Sequence, residues 1–217
     1  EGALIAGITS VGGDVMPLGT IPTPAVAYLT IKVGADAGVV ISASHNPFEH
    51  NGIKVFNGQG YKLPDALEDR VEEKILSSEP MPIRKGGGIG KRIHGMKNLK
   101  YEYIQHLRGT VQDDLGGLRV LIDCANGAAA ATAPDLFADF AMEADFIHRK
   151  PNGVNINLKC GSTHLKSLAA MVTAGEYDLG IAFDGDADRC LMIDEKGNVV
   201  DGDKTMAVCG LYMRDQG

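Results

Sequence analysis

The sequence predicts an α/β fold built as two consecutive units, each a mixed sheet flanked by helices. Three observations predict it. Short apolar, β-branched runs alternate with helical patterns along most of the 217 residues. Two of those runs end in compact polar turns, where open α/β sheets build their sites. A Pro- and Gly-rich stretch with basic residues interrupts the alternation at 79–95.

The elements follow in order. Residues 1–11 form an apolar helix, and 14–18 a strand. Thr23-Pro24 caps the next helix, proline being well accommodated at the first helical position. The run Val39-Val40-Ile41 is a buried strand, followed by a short strand that projects Lys54 and an amphipathic helix over 65–76. This alternation implies a partly parallel sheet covered on both faces. After the interruption a helix spans 98–111, with Tyr101, Ile104 and Leu107 at helical spacing. A strand at 118–123 leads into an Ala-rich helix reaching residue 140, then a strand at 143–148. A polar loop over 151–163 precedes another helix. Leu179-Gly180-Ile181-Ala182-Phe183 is a buried strand, and a hairpin turns through Glu195-Lys196-Gly197-Asn198. Asp201 or Asp203 caps the last helix. The units are placed at 1–85 and 96–201, with a linker at 86–95 and the start of a third unit at 202–217.

Composition narrows the function. A net charge of −7 argues against a nucleic-acid binder. No apolar run reaches the ~18 residues of a membrane span, and no signal peptide opens the chain, so a cytoplasmic protein is expected. Cys124, Cys160, Cys190 and Cys209 are widely spaced without a CxxC pair, which fits reduced thiols rather than a zinc site.

The strand at 179–183 runs into Asp184-Gly185-Asp186-Ala187-Asp188-Arg189. Three carboxylates within five residues repel one another unless a cation intervenes. So few protein ligands favour Mg²⁺ over Ca²⁺. Arg189 offers a fork suited to phosphate oxygens. An EF-hand is rejected: Arg189 stands where its loop needs glycine, and a strand precedes it where a helix is required. Asp186, flanked by two carboxylates, is expected to destabilise the metal-free loop, so Asp186→Asn should relieve it.

The second constellation is Ser42-Ala43-Ser44-His45-Asn46-Pro47, followed by Asn51-Gly52-Ile53-Lys54. Ser44 is displayed past a strand end beside His45, with Lys54 nearby. A hydroxyl, an imidazole and an amine are the parts of a phosphoryl-carrying serine site. The Gly-x-Ser-x-Gly elbow of a hydrolase is missing.

Taken together, these motifs resemble the α-D-phosphohexomutase superfamily. Asn155-Ile156-Asn157, Cys160-Gly161-Ser162-Thr163-His164 and the segment 194–203 resemble its bacterial phosphoglucosamine mutase branch. The resemblance implies that Ser44 is phosphorylated. One of its phosphate oxygens then joins Asp184, Asp186 and Asp188 around one Mg²⁺. Lys54 acts in acid–base work, with its pKa drawn down by burial and positive charge, while His45 and Arg189 orient the phosphoryl group. Ala187 stands where many relatives have glycine and is tolerated if its φ is negative. The implied reaction interconverts glucosamine 6-phosphate and glucosamine 1-phosphate through glucosamine 1,6-bisphosphate. Phosphomannomutase/phosphoglucomutase activity is the alternative, and a homodimer of the full-length form a further expectation. The family's four domains imply that this chain is incomplete at both ends. It lacks an N-terminal strand and arginine loop, a sugar-reading loop and a phosphate clamp. The competing reading of another class is therefore a non-catalytic, metal-binding fragment.

Overall fold

A computed structural model describes residues 1–77, 79–94 and 98–216. The first unit opens with helix α1 (Gly2–Ser10), which buries none of its residues. The expected strand at 14–18 is not formed. Val15 makes only an isolated parallel bridge to Arg92. Pro17 denies the segment a backbone donor, and two residues on either side of one bridge do not make a ladder.

Helix α2 (Thr23–Val33) starts behind Pro22 and stops at Gly34, whose φ of 67° gives the left-handed cap that glycine favours. Strands β1 (Ala37–Ser42) and β2 (Gly52–Asn57) form an antiparallel pair that places Val40 opposite Lys54. The first unit's sheet is thus two-stranded and antiparallel among the described residues, not partly parallel. Helix α3 (Asp65–Leu76) follows, with Leu67, Val71, Ile75 and Leu76 all exposed. The segment at 79–94 folds back on α1, with Arg84 N–H donating to Ser10 O and Gly90 N–H to Thr9 O. Residue 95, the last of the expected linker, and residues 96–97, the first of the expected second unit, lie outside the described residues.

Helix α4 (Leu99–Arg108) contributes Tyr103 to the apolar core made by Ile21, Ala25, Val26, Leu29 and Val40. Lys100 of the same helix reaches the second unit, its Nζ standing 2.6 Å from Asp135 Oδ2 and 3.2 Å from Ala131 O. The helix therefore brackets the two units.

The second unit carries the mixed sheet. Strands β3 (Arg119–Asp123), β4 (Glu143–Ile147), β5 (Leu179–Phe183), β6 (Cys190–Asp194) and β7 (Val199–Val200) stand in the order β4-β3-β5-β6-β7. The pairs of β3 with β4 and β5 are parallel, while β5–β6 and β6–β7 are antiparallel. Alternation along β3 feeds two cores. Val120 and Ile122 pack with Ala129 and Ala133 on one face, and Leu121 packs with Leu168 and Val172 on the other. Helix α6 (Leu165–Ala174) covers the second face. The expected Ala-rich helix is instead a 3₁₀ turn at Ala128–Ala131 and the short α5 (Ala133–Phe137). Pro134, near the start of α5, explains the break, since it has no N–H to bond the carbonyl of Ala130 and its ring clashes with that carbonyl in a continuous helix. Asp201 caps α7 (Gly202–Gln216), its Oδ1 accepting the Lys204 N–H at 3.0 Å.

Candidate active site at the junction of the two units

Ser44 follows β1 in a tight turn closed by Asn46 N–H to Ala43 O at 2.9 Å. Its φ is 52°, in the left-handed region that residues with a Cβ seldom occupy. Such strain persists where surroundings over-determine it, and it concentrates at functional positions. The Ser42 hydroxyl accepts the Ser44 N–H at 2.9 Å. Ser44 Oγ lies 3.5 Å from His45 Nδ1 and 3.4 Å from Arg189 Nη2, and Arg189 also contacts His45 Nδ1.

The aspartate turn begins where β5 ends. Asp184 and Asp186 are buried, while Asp188 is exposed. Arg189 N–H donates to Asp184 Oδ1, and Ala187 N–H to Asp184 O, which closes the turn. Gly185 is required by close approach: a Cβ there would run into Ser44 O, Ile156 and Asn157. Ala187 has φ 55°, so the expectation of a negative φ is not met. The turn needs a left-handed residue here, and alanine occupies it at a steric cost that glycine avoids.

Three sequence-predicted groups from the first unit and four from the second therefore meet: Ser44, His45 and Lys54 with Asp184, Asp186, Asp188 and Arg189. Lys54 Nζ lies 2.6 Å from Asp186 Oδ2 and 3.0 Å from Asp188 Oδ2. The expected depression of its pKa is not found. Burial does act to lower it, but hydrogen bonds and charge from Asp186 and Asp188 win, and the ammonium is held above its usual range. Burial first, then the neighbouring carboxylates, push Asp184 up to about 6. Burial acts the same way on Asp186, yet hydrogen bonds from Lys54 and Thr23 outweigh it and hold that carboxyl below its usual range.

One oxygen from each of the three aspartates lies within 4.8 Å of the others. Asp184 Oδ2 and Asp186 Oδ1 are buried without a hydrogen-bond partner, although Arg189 Nε stands 3.5 Å from the former. Unpartnered buried carboxylate oxygens are costly unless something satisfies them. A hard divalent cation fits these donors, which are all oxygen.

Two residues were not legible as part of the site. Thr23 was expected to cap α2, yet its side chain makes no capping bond. Its Oγ1 donates instead to Asp186 Oδ2 at 2.6 Å, and its N–H to Asp186 O at 2.9 Å. Asn157, buried in the polar loop before α6, reaches the backbone around Ser44. A second trio, Asp123, His148 and Cys160, also brings ligand-type atoms together. Its carboxylate is a turn staple, accepting Ala125 N–H at 2.9 Å and Gly161 N–H at 2.8 Å. Burial, with Asp123 adding to it, drives the Cys160 thiol up to about 11, so it stays neutral. All four cysteines are free.

Residues 1–81 match the model of phosphoglucomutase/phosphomannomutase α/β/α domain I, and residues 101–197 match that of domain II. The chain belongs to the phosphoglucomutase/phosphomannomutase family. It is 53% identical over 218 residues to a phosphoglucosamine mutase of Ruminiclostridium cellulolyticum, covering 100% of this chain and 48% of that protein. It is 54% identical over 216 residues to one from Clostridium tetani, covering 99% and 48%. The chain thus spans about half the length of the curated relatives it matches. In fold it is similar to a phosphoglucomutase/phosphomannomutase family protein of Burkholderia thailandensis, with a TM-score of 0.81 at 23% identity over 99% of this chain and 47% of the other. It is also similar to an N-acetylglucosamine-phosphate mutase of the α-D-phosphohexomutase superfamily, with a TM-score of 0.55 at 18% identity over 97% and 52%. Among the described residues no helix is long and apolar enough to cross a membrane.

Proposed function

We propose that the full-length protein is a phosphoglucosamine mutase that works through a phosphoserine at Ser44. The observation that carries this reading is the strained Ser44 turn of one unit facing three aspartates and Arg189 of the other. The names of the relatives at about half identity support the glucosamine substrate. The 1,6-bisphosphate route is supported by an Aspergillus fumigatus relative in fold, TM-score 0.52, whose structure is a complex with glucose 1,6-bisphosphate.

In this reading the phosphoryl group on Ser44 Oγ passes to the free hydroxyl of a hexosamine monophosphate. The P–Oγ bond breaks and a P–O bond to the sugar forms. The sugar hydroxyl loses its proton to the protein, and Lys54 is the group we assign to that exchange. The bisphosphate turns over, and its other phosphate returns to Ser44. Arg189 and His45 hold the phosphoryl oxygens while charge shifts between them. One Mg²⁺ per chain, held by Asp184, Asp186, Asp188 and a phosphate oxygen on Ser44, would supply positive charge beside that group and draw the carboxylates' charge away from Lys54. The remaining proposals are a cytoplasmic location, no nucleic-acid partner given the net charge of −7, and a homodimer of the full-length form. We place the unit boundary at 86–95, with α4 as the element both units share.

The experiment is an assay of the full-length protein with glucosamine, glucose and mannose phosphates, together with its intact mass. A phosphate-sized increment on Ser44, turnover fastest with glucosamine phosphate, and loss of turnover in Ser44→Ala are expected. Turnover of mannose or glucose phosphate ahead of glucosamine phosphate would move the assignment to phosphomannomutase/phosphoglucomutase. The isolated chain spans about half of its relatives, which favours the second reading for it: cation binding without turnover. Turnover by this chain alone would refute that reading.

A further inference from the structure

The phosphoserine reading leaves open what keeps Ser44 in its strained conformation. Its own turn supplies little: one hydrogen bond to Ser42 Oγ and one across the turn, Asn46 N–H to Ala43 O. The second unit supplies more. Asn157 Nδ2 donates to Ser44 O at 2.8 Å and to Asn46 O at 2.8 Å. Both acceptors are carbonyl oxygens, so only the amide nitrogen can face them, and the orientation of the side chain is fixed by chemistry.

Asn157 is itself anchored. It is 6% exposed, its φ is 57°, and its N–H donates to Ala125 O at 2.9 Å. Asparagine is among the few residues with a Cβ that accept this region readily. The polar loop behind it is stiffened by further asparagines, with Asn155 Oδ1 accepting Asn152 N–H and Asn155 Nδ2 donating to Lys150 O. Gly185 completes the arrangement from the aspartate turn, because any Cβ there would displace either Ser44 O or the Asn157 amide.

We propose that Asn157 is a positioning residue for phosphoryl transfer: its amide clasps the two carbonyls that flank His45 and sets Ser44 Oγ in register with Asp184, Asp186 and Asp188. This rests on the phosphoserine reading. The amide touches no reacting atom. It fixes the backbone from which the hydroxyl projects, and small misplacements of a reacting group are costly to a transfer step. Binding of the sugar draws on other groups, so the clasp affects kcat rather than KM.

The test uses the full-length protein, wild type, Asn157→Asp and Asn157→Ser. Asn157→Asp keeps the shape but turns oxygen toward both carbonyls. Asn157→Ser is small and neutral, so a folded variant remains if the aspartate is not tolerated. Expected are a fall in kcat of about tenfold or more with KM within about twofold. In unphosphorylated Asn157→Ser, Mg²⁺ affinity should stay within about threefold, since that variant leaves the three aspartates and their charge as they are. Amide exchange at Ser44 and Asn46 should quicken by about tenfold, reporting release of the turn. Unchanged exchange at these amides overturns the proposal whatever the turnover. Quickened exchange with wild-type kcat also overturns it, because Asn157 would then serve the fold alone. A wild type with neither phosphate on Ser44 nor sugar-phosphate turnover would defeat the phosphoserine reading and with it the catalytic role of the clasp. A phosphorylated, active wild type whose variants keep their kcat would defeat the clasp alone.

Discussion

Asp184 and Asp186 stand two residues apart, and their surroundings push them in opposite directions. Asp184 is raised to about 6 from an ordinary value of 3.8. For such a group the stabilising contribution is full below the unfolded value and is lost as pH rises through the folded one. Asp186 is lowered, so its contribution is present above about 4 and is lost as pH falls below that. With chelator present, urea unfolding of the wild type should therefore show a loss of stability between pH 4 and 6 that Asp184→Asn removes. Asp186→Asn should instead lower stability at pH 7 by about 1 kcal/mol, because a neutral amide replaces the charged acceptor that Thr23 and half-exposed Lys54 share. Equal pH profiles for wild type and Asp184→Asn would show that burial does not strain this carboxyl. The sequence expectation for Asp186 was the reverse. Charge spacing along the chain was visible, but the lysine and threonine that answer it lie 132 and 163 residues away. Asn157 stood out in the sequence only as part of the Asn155-Ile156-Asn157 motif, and its place at the site was hidden for the same reason, its partners being 113 and 111 residues distant. Ser44 and the aspartates, by contrast, announced themselves through apolar strands ending in crowded polar turns.

At the level of elements, α4 is the informative case. Its helical spacing was legible, and the structure forms it at Leu99–Arg108. Its allegiance was not. Tyr103, outside the periodic set Tyr101, Ile104 and Leu107, enters the core beside Leu29 and Val40, and its ring lies 6.0 Å from that of Tyr28. Tyr103→Ala should cost about 3 kcal/mol, measured by urea unfolding, as expected for a large buried ring. A change under about 0.5 kcal/mol would mean that α4 rests on the first unit without stabilising it. Elements whose pattern is local, such as α3 and β5, appear where the sequence put them. The 14–18 segment, which finds no partner ladder, and the Ala-rich helix, whose run of backbone donors Pro134 interrupts, do not.

For the molecule as a whole, a cation on the aspartate turn should act as a folding ligand. Mg²⁺ at a hundredfold excess over its Kd should stabilise the chain by about 2.7 kcal/mol, provided that it binds the unfolded chain negligibly. Thermal unfolding with chelator and with Mg²⁺ checks this, and coincident midpoints would exclude the three carboxylates as a cation site. The contacts that bring the two halves of the site together cross one seam: Thr23 and Lys54 to Asp186, Asn157 to Ser44 and Asn46, Arg189 to His45. Neither unit contains both sides of any of these pairs. A chimera that joins the first unit of one homologue to the second unit of another would mismatch this seam, and with it the core that Tyr103 of α4 completes around Leu29 and Val40. Recombination near 86–95 would thus misalign the chemistry and one of the cores at once, so the two halves of this sequence are constrained to diverge together.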